Sequence, residues 1–397
     1  LNLQHATASG TTAGGISVTS GAALELQGGI AVGAEALTLN GTGISSGGAL
    51  RNISGTNSYA GAITLGAASR INSDLNTLTL TGGITGLGLA LTVGGSGDTT
   101  ISTSGLNTST AGTLTKDGTG TLTISASGDY TGATTVSAWV LNIQHATATG
   151  TTAGGVSVTS GAALQLQGGI SVGAEALTLN GAGIASDGAL RNISGTNSWS
   201  GDLTLGSATR INSDSGTLTL SGGVSGAGLA LTVGGAGNTT MSGIIGTTSG
   251  TLTKDGTGTL ILSGANTYTG LTTVSAGVLN LQHATASGTI AGGISVTSGA
   301  ALELQGGIAG GAEALTLNGT GISSGGALRN ISGTNSYAGA ITLGAASRIN
   351  SDLNTLTLTG GITGTGFALT VGGVGDTTIS TSGLNTSTSG TLTKDGS

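Results

Sequence analysis

The chain has 397 residues, of which 81 are glycine, none is proline or cysteine, and only 6% are charged. The missing proline excludes a collagen triple helix, and the low charge with a positive mean hydropathy argues against disorder. The net charge is −7 and the nine lysines and arginines form no cluster, which argues against nucleic-acid binding.

Short segments that alternate apolar and polar residues recur along the chain, and each predicts a strand with one buried and one solvated face. Gly, Asn, Asp and Ser separate them at intervals of roughly 8–13 residues. Apolar residues at helical spacing are missing and helix formers are scarce, so we expect no helices. The clearest segments in the first part of the chain are 16–18, 23–26, 36–39, 77–80, 89–93 and 121–124.

A long repeat overlies this pattern. The opening sequence LNLQHAT returns, nearly unchanged, at 141–147 and at 279–285. We therefore divide the chain into a first repeat at 1–140, a second at 141–278 and a third at 279–397, which is truncated by about one coil. Because the sequence starts inside its own repeat, without methionine or a signal peptide, we expect it to be a segment of a longer precursor.

Aromatic residues follow a shorter period. Five of the seven recur at steps of 71, 69, 69 and 69 residues, and each is followed two residues later by glycine. Side chains that recur at a fixed period indicate an array of structural units, so we interpret the five aromatic residues and the five glycines as structural repeat positions. The aromatic residues are Tyr59, Tyr130, Trp199, Tyr268 and Tyr337, and the glycines are Gly61, Gly132, Gly201, Gly270 and Gly339.

Short strands at even spacing fit a sandwich, a propeller or a solenoid. A propeller needs blades of about 40–50 residues, which a 69-residue unit does not match, and a sandwich has no reason to repeat nearly unchanged. A solenoid does repeat nearly unchanged, because each coil covers the apolar edge of the coil before it. The prediction is an all-β, right-handed parallel β-helix (β-solenoid) with about 23 residues per coil, forming one continuous rod on the order of 80 Å long.

The chemistry-bearing residues also follow the repeat. His5, His145 and His283 occupy one repeat position, and a metal site or catalytic triad needs different ligands brought together, so we interpret them as structural turn residues. Most carboxylates recur likewise, whereas an active site is normally unique. We therefore predict no enzyme activity, no catalytic, cofactor-binding or metal residues, and no cofactor. Asp74, four residues after Arg70, is interpreted as forming either a local turn pair with it or an Asx turn.

Two segments, 112–143 and 250–281, carry the pattern GTLTKDGTGTL, and 390–397 repeats its beginning. The copies differ at 125–129 and at Trp139, which stands where the second copy has Gly277. Both segments resemble the autotransporter-associated β-strand repeat. The resemblance implies the passenger region of a bacterial surface or secreted protein, folded as a parallel β-helix, with no known catalytic residues in the repeat.

Repeat and resemblance together predict a structural fibre or stalk at the bacterial cell surface or in the extracellular space. Its expected partner is itself, through end-to-end or lateral association, and it is not expected to span a membrane. One alternative is an adhesin scaffold with a host-surface or matrix ligand, where specificity would lie in the divergent loops 185–188 and 243–246. Lower alternatives are the stalk of a polysaccharide-acting enzyme, and an ice-binding solenoid suggested by the many Thr-x-Thr units.

Overall fold

The computed structural model describes residues 1–387 and 389–397. These residues form two compact units, Leu1–Asp202 and Leu203–Ser397, and each is a parallel β-solenoid. A turn takes about 22 residues, and the described residues contain no α-helix. The predicted all-β solenoid is confirmed, and the turn is close to the predicted length.

The strands of each unit are short, and most run for two to five residues. In the unit Leu1–Asp202 they are β1 (Asn2–Leu3), β2 (Ile16–Val18), β3 (Leu24–Gln27), β4 (Ala31–Val32), β5 (Leu37–Gly41), β6 (Leu50–Ser54), β7 (Asn57–Tyr59), β8 (Ile63–Ser73), β9 (Thr77–Leu80), β10 (Ile84–Thr85), β11 (Leu91–Gly94), β12 (Asp98–Ile101), β13 (Leu106–Asn107), β14 (Leu114–Lys116), β15 (Thr121–Ile124), β16 (Thr134–Val136), β17 (Trp139–Ile143), β18 (Val156–Val158), β19 (Ala162–Gln167), β20 (Ser171–Val172), β21 (Leu177–Gly181), β22 (Leu190–Ser194) and β23 (Thr196–Trp199).

The unit Leu203–Ser397 follows the same plan. Its strands are β24 (Leu203–Ser213), β25 (Thr217–Leu220), β26 (Val224–Ser225), β27 (Leu231–Gly234), β28 (Asn238–Met241), β29 (Ile245–Gly246), β30 (Leu252–Lys254), β31 (Thr259–Leu262), β32 (Thr272–Val274), β33 (Val278–Leu281), β34 (Ile294–Val296), β35 (Ala301–Gln305), β36 (Ala309–Gly310), β37 (Leu315–Gly319), β38 (Leu328–Ser332), β39 (Asn335–Tyr337), β40 (Ile341–Ser351), β41 (Thr355–Leu358), β42 (Ile362–Thr363), β43 (Leu369–Gly372), β44 (Asp376–Ile379), β45 (Leu384–Asn385) and β46 (Leu392–Lys394).

Strands of successive turns pair in parallel, and the register places like side chains above one another. In β15, β17, β19 and β22 the stacked residues are Leu122, Leu141, Leu164 and Leu190, all fully buried. Because strand side chains alternate between the two faces, the polar residues Thr123, Gln165 and Arg191, each next to one of these leucines, are only half-buried. The core of each unit is thus a column of aliphatic side chains, each contributing roughly 1.5–3 kcal/mol when fully buried.

One kind of short 3₁₀ turn recurs where the chain leaves a strand. The unit Leu1–Asp202 has two, Ile44–Ser46 and Ile184–Ser186, and the other unit has Ile322–Ser324. Each follows a glycine with positive φ, such as Gly43 at 76°. At that glycine a Cβ would collide with the carbonyl of Gly48, so both backbone conformation and space require glycine. Nothing in the apolar pattern predicts these turns.

The stacked leucines give a test of the core. Leu164→Ala should lower the free energy of unfolding by about 2–5 kcal/mol, because the column cannot collapse to fill the cavity. Leu87→Ala is the matched control, since Leu87 is 81% exposed and its truncation should change stability by less than about 0.5 kcal/mol. Chemical denaturation followed by circular dichroism measures both. Equal effects for the two variants would contradict the buried column.

Candidate functional site: contacts between successive turns

Three of the periodic aromatic residues each donate a hydrogen bond to a backbone carbonyl oxygen of the preceding turn. Tyr59 donates its phenol O–H to the carbonyl oxygen of Glu35 at 2.8 Å, and Tyr337 makes the same bond to Glu313 at 2.8 Å. Trp199 donates its indole N–H to Glu175 at 2.7 Å. All three rings are buried. Phenol and indole both supply one donor at the end of a large apolar ring, which explains why tryptophan replaces tyrosine here.

The glycine two residues after each of these rings packs on that same carbonyl. A Cβ on Gly61 would overlap the carbonyl oxygen of Glu35, and Gly201 and Gly339 stand in the same relation to Glu175 and Glu313. None of these glycines has a positive φ. The need for glycine here is therefore steric, because the backbones of adjacent turns approach too closely for any side chain.

Tyr130 and Tyr268 occupy a different setting. They lie outside the strands, and their phenol oxygens bond the hydroxyls of Thr134 and Thr272, each at 2.7 Å. Burial raises the pKa of both phenols. Their following glycines, Gly132 and Gly270, pack on the carbonyls of Gly112 and Gly250. The aromatic residues that share one period in the sequence thus alternate between two environments.

The glutamates whose backbone carbonyls accept these hydrogen bonds have buried side chains. Thr149 donates its hydroxyl to Oε2 of Glu175 at 2.6 Å, and Ser287 donates to Oε1 of Glu313 at 2.8 Å. The second carboxyl oxygen of each has no hydrogen-bond partner. Burial raises the pKa of Glu175 to about 7, because the charged form loses hydration that one hydroxyl does not replace.

A buried lysine closes two of the Lys-Asp-Gly turns, at 116–118 and at 254–256, onto the next turn. The Nζ of Lys116 donates to the carbonyls of Asp117 at 2.6 Å, Gly118 at 3.1 Å and Ala138 at 3.3 Å. Lys254 makes the equivalent three bonds. Burial lowers the pKa of both lysines to about 8. The lysine thus acts as a cap for backbone carbonyls.

The aspartate of the same turn pairs with an arginine two turns earlier. Arg70 donates two hydrogen bonds to Asp117, from Nη1 to Oδ2 at 2.7 Å and from Nη2 to Oδ1 at 2.8 Å. Arg210 and Asp255 form the same bidentate pair in the second unit, as do Arg348 and Asp395. Such forked pairs fix geometry as well as charge.

The predicted local pair of Arg70 with Asp74 is wrong. Asp74 pairs instead with Arg51 on the previous turn, at 2.6 Å, and Asp352 pairs likewise with Arg329. Arg70 lies within β8 and Asp74 follows its end, so four residues of extended chain separate them by roughly 13 Å. Between turns the strand spacing is only about 4.8 Å, which makes the neighbouring turn the nearer source of a partner.

His5 is exposed, and His145 and His283 are half-buried at the equivalent position, in the bend that precedes a turn. The ring Nδ1 of His145 accepts the backbone N–H of Thr147 at 3.2 Å and lies 3.2 Å from its hydroxyl. His5 and His283 make the same contacts with Thr7 and Thr285. Within 1–387 and 389–397 no three or more His, Cys, Asp or Glu side chains are grouped so as to hold a metal ion.

Sequence inspection missed the lysine caps and the inter-turn arginine pairs. A signal was available, since Arg70–Asp117 and Arg348–Asp395 have one spacing of 47 residues and Arg210–Asp255 a spacing of 45. Charged residues that keep a fixed separation in each repeat, about two turns apart, are candidates for contact across turns.

Comparison with protein families identifies the segments that hold these turns. Residues 114–143 and 252–281 each match the passenger-associated-transport-repeat, in the two places where the sequence resembled an autotransporter repeat. The matched segments and the β-solenoid are consistent with an autotransporter passenger repeat. No curated protein and no solved structure shows significant similarity to the chain. No helix of the described residues is long and apolar enough to cross a membrane.

The close approach of turns at the aromatic–glycine position can be tested with one methyl group. Gly61→Ala should destabilise the protein by about 1–3 kcal/mol, because its Cβ overlaps the Glu35 carbonyl. Gly14→Ala is the matched control, since Gly14 has open space around it and no positive φ, so alanine there should be neutral or slightly stabilising. Denaturant midpoints measure both. A neutral Gly61→Ala would contradict the tight corner.

Glu175 should make stability depend on pH. Its pKa is about 7 in the folded state against an ordinary 4.5, so its contribution is full below pH 4.5 and is lost as pH rises through 7. The slope in this window should be at most about 1.4 kcal/mol per pH unit. Glu175→Gln should remove that slope and be the more stable protein at pH 8, as measured by denaturation between pH 4.5 and 8. The outer-face variant Glu25→Gln is the control, and an unchanged slope in Glu175→Gln would refute the assignment.

Proposed function

We propose that this chain, which carries two copies of the passenger-associated transport repeat on a β-solenoid, is a structural segment of a passenger exported to the bacterial cell surface. Its work is mechanical, as a stiff fibre or stalk that holds other parts of a larger protein, or further copies of itself, away from the cell. The observation that carries the proposal is the repeat match, made in the segments whose Lys-Asp-Gly turns bond to neighbouring turns.

The use of the charged side chains supports a structural role. Lys116 and Lys254 cap backbone carbonyls, and the arginines Arg70, Arg210 and Arg348 are committed to aspartates. Groups held in this way stabilise the stack of turns. An enzyme instead keeps an acid, a base or a nucleophile facing a cleft where substrate can reach it.

An adhesin scaffold is the second candidate, favoured by exposed residues in the two divergent loops. Loop 185–188 continues the second 3₁₀ turn and exposes Asp187, which pairs at 3.4 Å with Arg191. Loop 243–246 exposes the side chain of Ile244. These loops would confer specificity on an otherwise uniform surface. Binding of the purified chain to host cells or matrix, lost when both loops are replaced by those of the first repeat, would favour this candidate.

Export is the step that tests the main proposal. An antibody raised against the chain should label intact cells of the bacterium that encodes it, and protease added outside those cells should remove the label. An antibody against a cytoplasmic protein is the control and should label only permeabilised cells. Labelling of this chain only after permeabilisation would overturn the proposal. Electron microscopy of the labelled cells separates a fibre from a stalk.

A further inference from the structure

A groove of about 350 Å³ lies on the outer surface of the unit Leu203–Ser397. Its apolar wall consists of Val278 at the start of β33, Ala301 at the start of β35, and Ile322 of the third 3₁₀ turn. Glu303 and Arg329 line it as well, and their side chains form an ion pair at 3.4 Å. Apolar walls with a few fixed polar groups, at this volume, are typical of sites for small ligands.

The preceding repeat carries an aromatic ring at the edge of the equivalent surface. Trp139 occupies the position of Gly277, one residue before the strand residue Val140, which corresponds to Val278. Both residues adopt the left-handed conformation, with φ of 57° for Trp139 and 66° for Gly277. Glycine adopts it freely, whereas for tryptophan it is strained, and strain of this kind persists only where surrounding structure holds it.

The residues around Trp139 are more covered than their counterparts. Val140 is buried, whereas Val278 is half-buried. Ile184 is half-buried, whereas Ile322 is 40% exposed. Trp139 itself is 40% exposed, so most of its side chain rests against protein. The simplest account of this difference is that the indole lies over Val140 and Ile184, and that the groove beside Gly277 is the same surface without its ring.

We propose that the groove beside Gly277 is a binding site for a planar heteroaromatic ligand that carries an N–H donor, of which indole is the simplest example. The ring would lie on Val278, Ala301 and Ile322, in the way that the burial of Val140 and Ile184 indicates for the ring of Trp139. The Glu303 carboxylate would accept the N–H, and the Arg329 guanidinium would contact the ring face, an arrangement that aromatic rings and arginine favour. In the preceding repeat the corresponding surface has Trp139 at its edge and Gln165 in place of Glu303, and the amide oxygen of Gln165 would accept the same N–H.

Fluoroindole is the probe, and its bound fraction is followed by fluorine NMR on the full chain. The wild-type protein should bind it in the open groove. Trp139→Gly should open the second groove and about double the bound fraction, and Gly277→Trp should fill the first and lower it at least tenfold. A Cβ at residue 277 would collide with the carbonyl oxygens of Gly256 and Gly258, so Gly277→Trp and Gly277→Ala carry the same backbone strain. Gly277→Ala lacks the ring and should keep wild-type binding, which separates filling of the groove from that strain.

A second route does not depend on the backbone at Gly277. Ile322→Glu places a charge on an exposed wall of the groove, where it does not threaten the fold, and should lower fluoroindole binding at least tenfold. Circular dichroism and the Tm of each variant verify folding. Binding that survives both Gly277→Trp and Ile322→Glu would overturn the proposed site. A bound fraction unchanged by Trp139→Gly would overturn the equivalence of the two grooves.

Discussion

The close approach of one turn to the next at its corners is the constraint on which the rest of this structure depends. Parallel strands about 4.8 Å apart align every side chain with its neighbours above and below. At a corner that distance leaves no room for a Cβ, as the contacts of Gly61, Gly132 and Gly201 show. This packing accounts for part of the high glycine content, and turns account for another large part, since more than half of the 81 glycines have a positive φ.

The same constraint accounts for the polar residues. Where strands end, carbonyl oxygens lose their ladder partners, and a buried oxygen without a donor costs about 1–3 kcal/mol. Tyr59, Trp199 and Lys116 each bring a donor to such a carbonyl, and Arg70 fixes the turn beyond it through Asp117. Only 6% of the residues are charged, and many of these therefore form contacts between turns.

Much of the fold could be predicted from the sequence, because alternation and period are local signals. The predicted strands 16–18, 77–80 and 121–124 have the observed bounds, and the others are displaced by one or two residues. The partners of the polar residues could not be predicted, because turn length varies. Leu122 pairs with Leu141, 19 residues on, whereas Leu164 pairs with Leu190, 26 residues on. The fixed spacing of Arg70 and Asp117 marks them as candidates for contact, but only the turn lengths show that they meet, or distinguish Tyr59 from Tyr130.

Repetition also changes how single residues can be interpreted. Where a position is copied in each repeat, as for His5 and His145, its role is inferred from contacts that recur with it. Where one repeat has a different residue at such a position, the other repeat shows the same backbone with the original residue. Trp139 and Gly277 are such a pair, since their φ angles agree within 9° although tryptophan has the largest side chain and glycine has none. A solenoid that keeps its register can vary its outer surface one residue at a time, because each turn depends only on its neighbours. Any specific binding by this chain is therefore expected at positions where the repeats differ, on a framework of contacts that they share.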